Sequence, residues 1–495
     1  MSNYIFFPGH TNIRSFLSIL MLGVILFPSY TFCADSLRVL TLEECIDIAL
    51  EHSLEIQRYK ELLNRDQEWV KAARANLKSN ANIRFEVPSF DQTVEGIKDI
   101  QGYTHYAYTT NTKWRSLLNI NQPLPTNGNV SINYNFFYHI QKSQLNNYSN
   151  YLYLKFEQPI FTPNTLSMGI RRAEIDYEKT ELEYTNRRLN LIYNITQEYF
   201  NVYSHTIQVE LHQRAVDRLR TAYKEAQNLF SQKKLEETDI LQLEIEVSKG
   251  RDEVLTNRSQ LDRNINSFKQ LIGILPEEDI AIDTTIKYNN IKLDENKIVE
   301  EGLKRSTSLR FFDIDKEEFE LRKVDAERES EFKGSIVATY GLDKKNPEFD
   351  RSFGGFDRTQ SLMMEFYLPI WDWGKNRAQI AAAESEIRSS EIRIEDNRNA
   401  IVRGLRDRIN ELNNIIRRLD ILTQSRILAI RNFSLILNEF MHNKIKSQEL
   451  ILAQNQLVET DASFLTAYVE YRTALADLVR RLSGAAPDSW RWGFR

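Results

Sequence analysis

Apolar residues recur every seven positions over two long stretches of this chain: Ile195, Val202, Val209, Val216, Tyr223 and Phe230 in one, Ile240, Val247, Val254, Leu261 and Phe268 in the next. A seven-residue period held for that long imposes a left-handed supercoil, because a helix with 3.6 residues per turn drifts against it. Adding 210 to each number gives Leu405, Leu412, Leu419, Arg426, Phe433 and Phe440, then Leu450, Leu457, Phe464, Tyr471 and Leu478. Only Arg426 breaks the apolar series. The spacing therefore predicts two antiparallel coiled-coil hairpins with tips near 231–237 and 441–447.

The same displacement governs other segments. Leu152-Tyr-Leu-Lys-Phe-Glu-Gln-Pro-Ile-Phe161 stands opposite Leu362-Met-Met-Glu-Phe-Tyr-Leu-Pro-Ile-Trp371, with Pro159 and Pro369 displaced by 210. Each alternates like a strand, then meets a proline that cannot donate to a ladder; Gly374 supplies freedom for a change of direction. These are strand-to-helix knuckles. Leu271-Ile-Gly273 matches Leu482-Ser-Gly484 at 211. The chain is thus read as internally duplicated. A first repeat spans 35–275, with strands in 81–160 and a hairpin at 172–275. A linker at 276–295 leads to a second repeat at 296–484, with strands in 334–370 and a hairpin at 376–484; a tail at 485–495 follows. Knuckle to tip is roughly 65–70 residues, or about 100 Å of helix.

Thr41-Leu-Glu-Glu44 is a capping box that opens a helix, and a second helical stretch runs from about 54 to 78, with its counterpart at 296–330. From Ala81 the period becomes two. Ile83, Phe85 and Val87 alternate, a polar and aromatic loop follows, and Leu118 and Ile120 lead to Gln122-Pro123. After the turn at 126–128, Val130, Ile132, Tyr134, Phe136 and Tyr138 share one face, with Ser131, Asn133, Asn135 and His139 on the other. Gln122-Pro123 reads as a third version of the knuckle, so the first repeat carries an extra hairpin around 122–139. Strands with one apolar face and one Ser/Asn face suit a transmembrane β-barrel, and equally a half-buried soluble sheet.

The first residues weigh in this choice. Arg14, an apolar run over 16–27, and Thr31, Cys33 and Ala34 have the layout of a secretory signal at 1–34. Twelve apolar residues fall short of the roughly 20 that a spanning helix needs. Cleavage before Ala34 is the first reading, with lipidation of Cys33 the second. Removing 1–34 takes away only Arg14, leaving 63 Lys and Arg against 69 Asp and Glu, net −6. No basic block offers nucleic acid a footprint. Cys45 alone remains, so no internal disulfide forms. His205 and His212 lie seven apart, not at the i, i+4 spacing of a helical metal pair, and both read as solvated helix positions. No catalytic, cofactor-binding or metal-ligating set is expected.

Together these features resemble the TolC family of outer-membrane channel-tunnels: Leu40-Thr-Leu-Glu-Glu-Cys-Ile-Asp-Ile-Ala-Leu50, the Gln-Pro-Ile and Leu-Pro-Ile-Trp-Asp-Trp-Gly knuckles with Pro159, Pro369, Trp371 and Gly374, the duplicated coiled coils, and Leu-Ser-Gly at 482–484. The resemblance implies an internally duplicated α+β membrane protein, a homotrimer whose shared β-barrel continues into a long antiparallel coiled-coil α-helical barrel. It implies the outer membrane of a Gram-negative-type bacterium, with a large periplasmic part. It also implies a periplasmic adaptor (membrane fusion) protein and an inner-membrane pump as partners, in tripartite efflux or type I secretion. The alternative is a periplasmic coiled-coil adaptor or structural protein without a pore.

In the family, glycines sit at the helical tips; the matching positions here are Lys233 and Asn443, which with Lys234, Lys444 and Lys446 would contact the adaptor. Acids just past the tips ring the closed mouth, and Asp239 and Glu449 match them, with Leu452 where a second acid would stand. The resemblance favours two strands per repeat and 12 in a trimer; six per chain would give 18. Arg426 reads either as a lumen charge or as an interhelical ion-pair partner.

Overall fold

The computed structural model describes residues 38–98, 100–141, 147–285 and 293–482. The signal segment with Cys33, residues 286–292 of the linker, the Ser483-Gly484 end of the repeat and the tail lie outside the described residues.

The chain opens with strand β1 (Arg38–Leu40), then helices α1 (Leu42–His52) and α2 (Leu54–Ala75). The capping box forms as expected: the Thr41 N–H donates to Glu44 Oε2 at 2.8 Å and the Glu44 N–H to Thr41 Oγ1 at 3.3 Å. Four strands follow: β2 (Asn80–Lys98), β3 (Thr104–Pro123), β4 (Asn129–Gln141) and β5 (Asn147–Ile160). Helices α3 (Thr165–Ser231) and α4 (Glu237–Ile272) complete the first repeat. Strand β6 (Ile280–Ile282) pairs in parallel with β1, tying the start of the chain to the linker.

The second repeat has α5 (Glu295–Lys304), α6 (Thr307–Ser330), β7 (Lys333–Asn346), β8 (Asp357–Tyr367), α7 (Lys375–Met441) and α8 (Ser447–Leu482). The duplication is strict in the helices. Both long helices have 67 residues, about 100 Å of rise, and both short ones 36, with each boundary displaced by 210. The expected tips at 231–237 and 441–447 are the observed ones.

The sheet departs from expectation. Its order is β2-β3-β4-β5-β7-β8, every pair antiparallel, so all six strands of one chain form one sheet in place of the four the resemblance favoured. Adding 210 to β4 and β5 lands on β7 and β8, which leaves β2–β3, and not the segment 122–139, as the hairpin without a counterpart. Most of the polar, aromatic stretch read as a loop is strand. Pro88 explains why it was illegible: a residue without an N–H falls at a bulge between Glu86 and Ser89, after which the inward and outward parity reverses. Phe85 and Phe90 therefore share a face although their numbers differ in parity.

Heptad residues make the core. Near the middle of the long helices, Ile195, Val202, Phe268, Leu405, Leu412, Tyr471 and Leu478 pack with Cys45 and Ile46 of α1. Toward the tips, Val247, Phe433, Phe440, Leu450 and Leu457 form a second cluster with Leu219 and Leu243. Arg426, the break in the series, donates from Nε to Asp461 Oδ1 at 2.6 Å and lies 5.3 Å from the Phe464 ring centroid. It is an interhelical ion-pair partner between α7 and α8. The histidines are corrected too. Burial holds the His205 imidazole below its ordinary pKa and leaves Nδ1 without a partner, while His212 Nδ1 lies 2.9 Å from Glu253 Oε2. Neither is a solvated position, because both sit where α3 is half covered.

Candidate channel site: sheet faces, knuckles and tips

The register sorts side chains into two unlike faces that run across all six strands. One row reads Ala81, Ile120, Ile132, Leu154, Tyr340, Gln360; the next, on the opposite face, reads Asn82, Asn119, Asn133, Tyr153, Gly341, Thr359. On the polar face Asn119 Nδ2 donates to Asn133 Oδ1 at 2.6 Å, and Asn133 Nδ2 to Ser131 Oγ at 2.9 Å. The apolar face stays open: Ile132, Leu152 and Leu154 of the inner strands are all exposed. Aromatic clusters bound it. At the loop end, Phe136 and Tyr148 pack with Phe349 and Phe353, a short 3-10 turn that folds back so that Asn150 donates to Ser352 O at 2.9 Å. At the helix end, Phe332 stacks on Phe366 and packs at a tilt against Phe161. From Tyr148 to Ile160 a strand inclined by about 35° rises roughly 32 Å, close to the thickness of a bilayer's hydrocarbon core.

Side-chain amides tie the knuckles to neighbouring turns. Gln158 Nε2 donates to Thr126 O at 2.9 Å and to Pro159 O at 2.8 Å. Gln122 Nε2 repeats the pattern with Leu77 O at 3.2 Å and Pro123 O at 2.7 Å. Pro159 lies within β5 opposite Ser335; β4 has already ended, Asn129 pairing with Glu157, so the missing N–H breaks no bond on that side. Pro369 falls beyond the end of β8. Gly374, at φ +81°, is the N-cap of α7, and Asp372 does the capping: its carboxylate accepts from the N–H groups of Gly374 at 2.9 Å and Asn376 at 2.8 Å. Trp371 and Trp373 stand exposed beside it with ring centroids 4.9 Å apart.

Both tips have one geometry. Lys233 and Asn443 adopt the left-handed backbone, φ +57° and +54°, at the positions where the resemblance expects glycine. Lys234 N–H reaches Leu229 O at 3.0 Å and Lys444 N–H reaches Glu439 O at 3.0 Å, satisfying carbonyls at the helix ends. Leu235 and Ile445 anchor the loops in the tip core, while Lys233, Lys234, Asn443, Lys444 and Lys446 are exposed.

The two acids are not equivalent. Asp239 is buried, and its Oδ1 accepts from the Ser447 N–H at 3.0 Å and the Ser447 hydroxyl at 2.6 Å, so the first hairpin caps α8 of the second. Ser447 Oγ is also 2.8 Å from Gln242 Oε1. Glu449 is exposed, as is Leu452. Sequence reasoning missed Ser447 and Gln242; the signal was Ser447 as the first residue of a helix, where an N–H awaits an acceptor.

Among the described residues the two lateral edges of the chain have no neighbouring element. Among the tip-proximal helices α3 packs on α4 and α8, and α8 on α7, leaving α4 and α7 outermost. Ile421, Leu428 and Leu435 of α7 lie at sevens and are exposed, as are Leu241, Ile245 and Leu255 of α4. Strand β8 is exposed on both faces, and so is β2 at its described side chains apart from the half-buried Glu86 and Asp91. One edge carries β2, α2 and α4; the other carries β8 and α7.

Solved channels share this architecture at low identity. A structure of CusC matches with TM-score 0.65 and 13% identity, covering 89% of this chain and 91% of that one. The outer membrane protein VceC of Vibrio cholerae matches with TM-score 0.63 and 13% identity over 90% and 96%. The MtrE outer membrane channel of Neisseria gonorrhoeae, in its open state, matches with TM-score 0.63 and 14% identity over 90% and 89%. Comparison with curated protein sequences finds no match. The sequence profile of one family, described as "Outer membrane efflux protein", matches residues 130–274 and 322–484, one segment in each repeat. The chain belongs to the outer membrane efflux protein family.

Proposed function

We propose that three copies of this chain close into a tube that crosses the outer membrane and projects about 100 Å into the periplasm. There it meets a periplasmic adaptor and an inner-membrane pump and exports small molecules or proteins. The observation that carries the reading is the pair of unlike, unpartnered edges on one molecule. An exposed heptad stripe on α7 and exposed leucines on α4 would cover each other between neighbours, and a head-to-tail contact of that kind generates a closed ring when the rotation closes. The apolar sheet face would then meet lipid and the Asn-rich face a wet lumen.

At the tips, the exposed lysines with Asn443 form the surface offered to an adaptor, and Glu449 supplies the free acid at the mouth. Asp239 acts differently, as a latch between the hairpins of one chain. The test is fractionation: the mature protein should travel with outer membranes as an oligomer that heat dissociates. A soluble periplasmic monomer would overturn the reading.

A further inference from the structure

We infer that the barrel is closed by β8 of one copy pairing with β2 of the next, so that 18 strands surround the pore. The inference rests on the trimeric channel proposed above and fixes which edge meets which. Three features of the sheet carry it.

Direction comes first. Six strands alternate, so β2 leaves the helical end and β8 returns to it, and their junction is antiparallel like every other. Slope comes second. From Asn80 the pairing runs through Asn121, Ser131, Lys155 and Thr339 to Ser361, six residues short of Tyr367 at the end of β8. If Asn80 of each copy is set level with the neighbour's Tyr367, threefold symmetry makes the register climb one residue per strand. One residue, about 3.3 Å, per strand spacing of about 4.8 Å inclines the strands by about 35°, within the range at which barrels close. Starting instead from Asn129 of β4, the row ends at Met363, four residues short over four strands. On that reference the hairpin β2–β3 keeps the slope of the rest, as a continuous part of the wall requires.

Side chains come third. Setting Asn80 against Tyr367 puts Ile83 opposite Met364 and Phe85 opposite Leu362 on the apolar face, and brings Arg84 diagonally beside Glu365 on the polar one. Ahead of the bulge this register pairs residues 80–86 of β2 with 361–367 of β8. Eighteen strands give a barrel about 33 Å across between strand axes, against about 22 Å for twelve.

Paired cysteines decide it. If β2–β3 stood outside the wall, β8 would pair with β4 of the neighbour, and the same slope would put Met364 opposite Ile132. Two variants, Ile83→Cys with Met364→Cys and Ile132→Cys with Met364→Cys, are treated in outer membranes with a short bifunctional thiol reagent. Cys45 does not interfere: it is fully buried, and burial pushes its thiol up to about 12. The expected result is covalent dimers and trimers from the first variant and none from the second. Cross-linking of the second variant, or of neither while heat-sensitive oligomers persist, overturns the 18-strand closure and leaves the channel standing. Absence of any oligomer overturns both.

Discussion

Replacing Asp239 by alanine removes the acceptor that joins the two helical tips of one chain. Its Oδ1 takes a charge-assisted bond from the Ser447 N–H, the first amide of α8. Such a bond contributes about 1.5–3 kcal/mol, and an anion at a helix N-terminus roughly 0.3–1 kcal/mol more. The Ser447 hydroxyl keeps Gln242 as an alternative partner, so its share is small. The loss of about 2–4 kcal/mol falls on local opening of the first turn of α8, a change of roughly 30-fold to 1,000-fold in that equilibrium. Amide hydrogen exchange over 447–450 in the purified oligomer reads it directly. Asp239→Asn keeps an uncharged acceptor and should show a smaller acceleration, on the order of tenfold. If exchange in Asp239→Ala stays within about threefold of the parent, Asp239 does not latch the tips.

Asp477 is buried and held by Arg408, Arg480 and Arg481. Burial works to raise its pKa, but bonds from Arg481 and Arg480 outweigh it and hold the carboxyl below its usual range. Because the folded pKa is depressed, the stabilisation is present above the unfolded pKa of about 3.9 and is lost as pH falls below it. Asp477→Asn should cost about 2–3 kcal/mol at pH 7, seen as a lower unfolding temperature, and the difference from the parent should shrink progressively as pH is lowered from the unfolded pKa through the depressed folded one. Lys233→Gly relieves a left-handed backbone and should stabilise its tip by about 1 kcal/mol, measurable as slower exchange of the 229–234 amides. Glu449→Gln should reduce cation selectivity and divalent-cation block of single channels in planar bilayers; unchanged selectivity and block would assign Glu449 to a solvated helix end.

Heptads and duplication were legible because each rests on many residues repeating one physical demand, the burial of a helical seam. That redundancy let Arg426 stand out without hiding the pattern. Of the β2–β3 hairpin only the ends at 83–87 and 118–120 were legible, since the rest of its pairing lies beyond a bulge at Pro88 that reverses the alternation on which a strand is recognised. Asp239 shows a different limit. Its place near a helix start was readable, but its partner Ser447 is 208 residues away, and no local pattern announces a cap supplied by another hairpin. The tips lie between these cases: Asn443 tolerates a left-handed backbone, whereas Lys233 is held there by Leu235 and the carbonyls beneath it.

Electron cryo-microscopy of particles extracted from outer membranes tests the central claim most directly. The account predicts end-on views with threefold symmetry around an open lumen, and side views of a tapering tube about 130–140 Å long, the sum of about 100 Å of helix and roughly 32 Å of strand. Single-chain rods whose sheet encloses no space would contradict it.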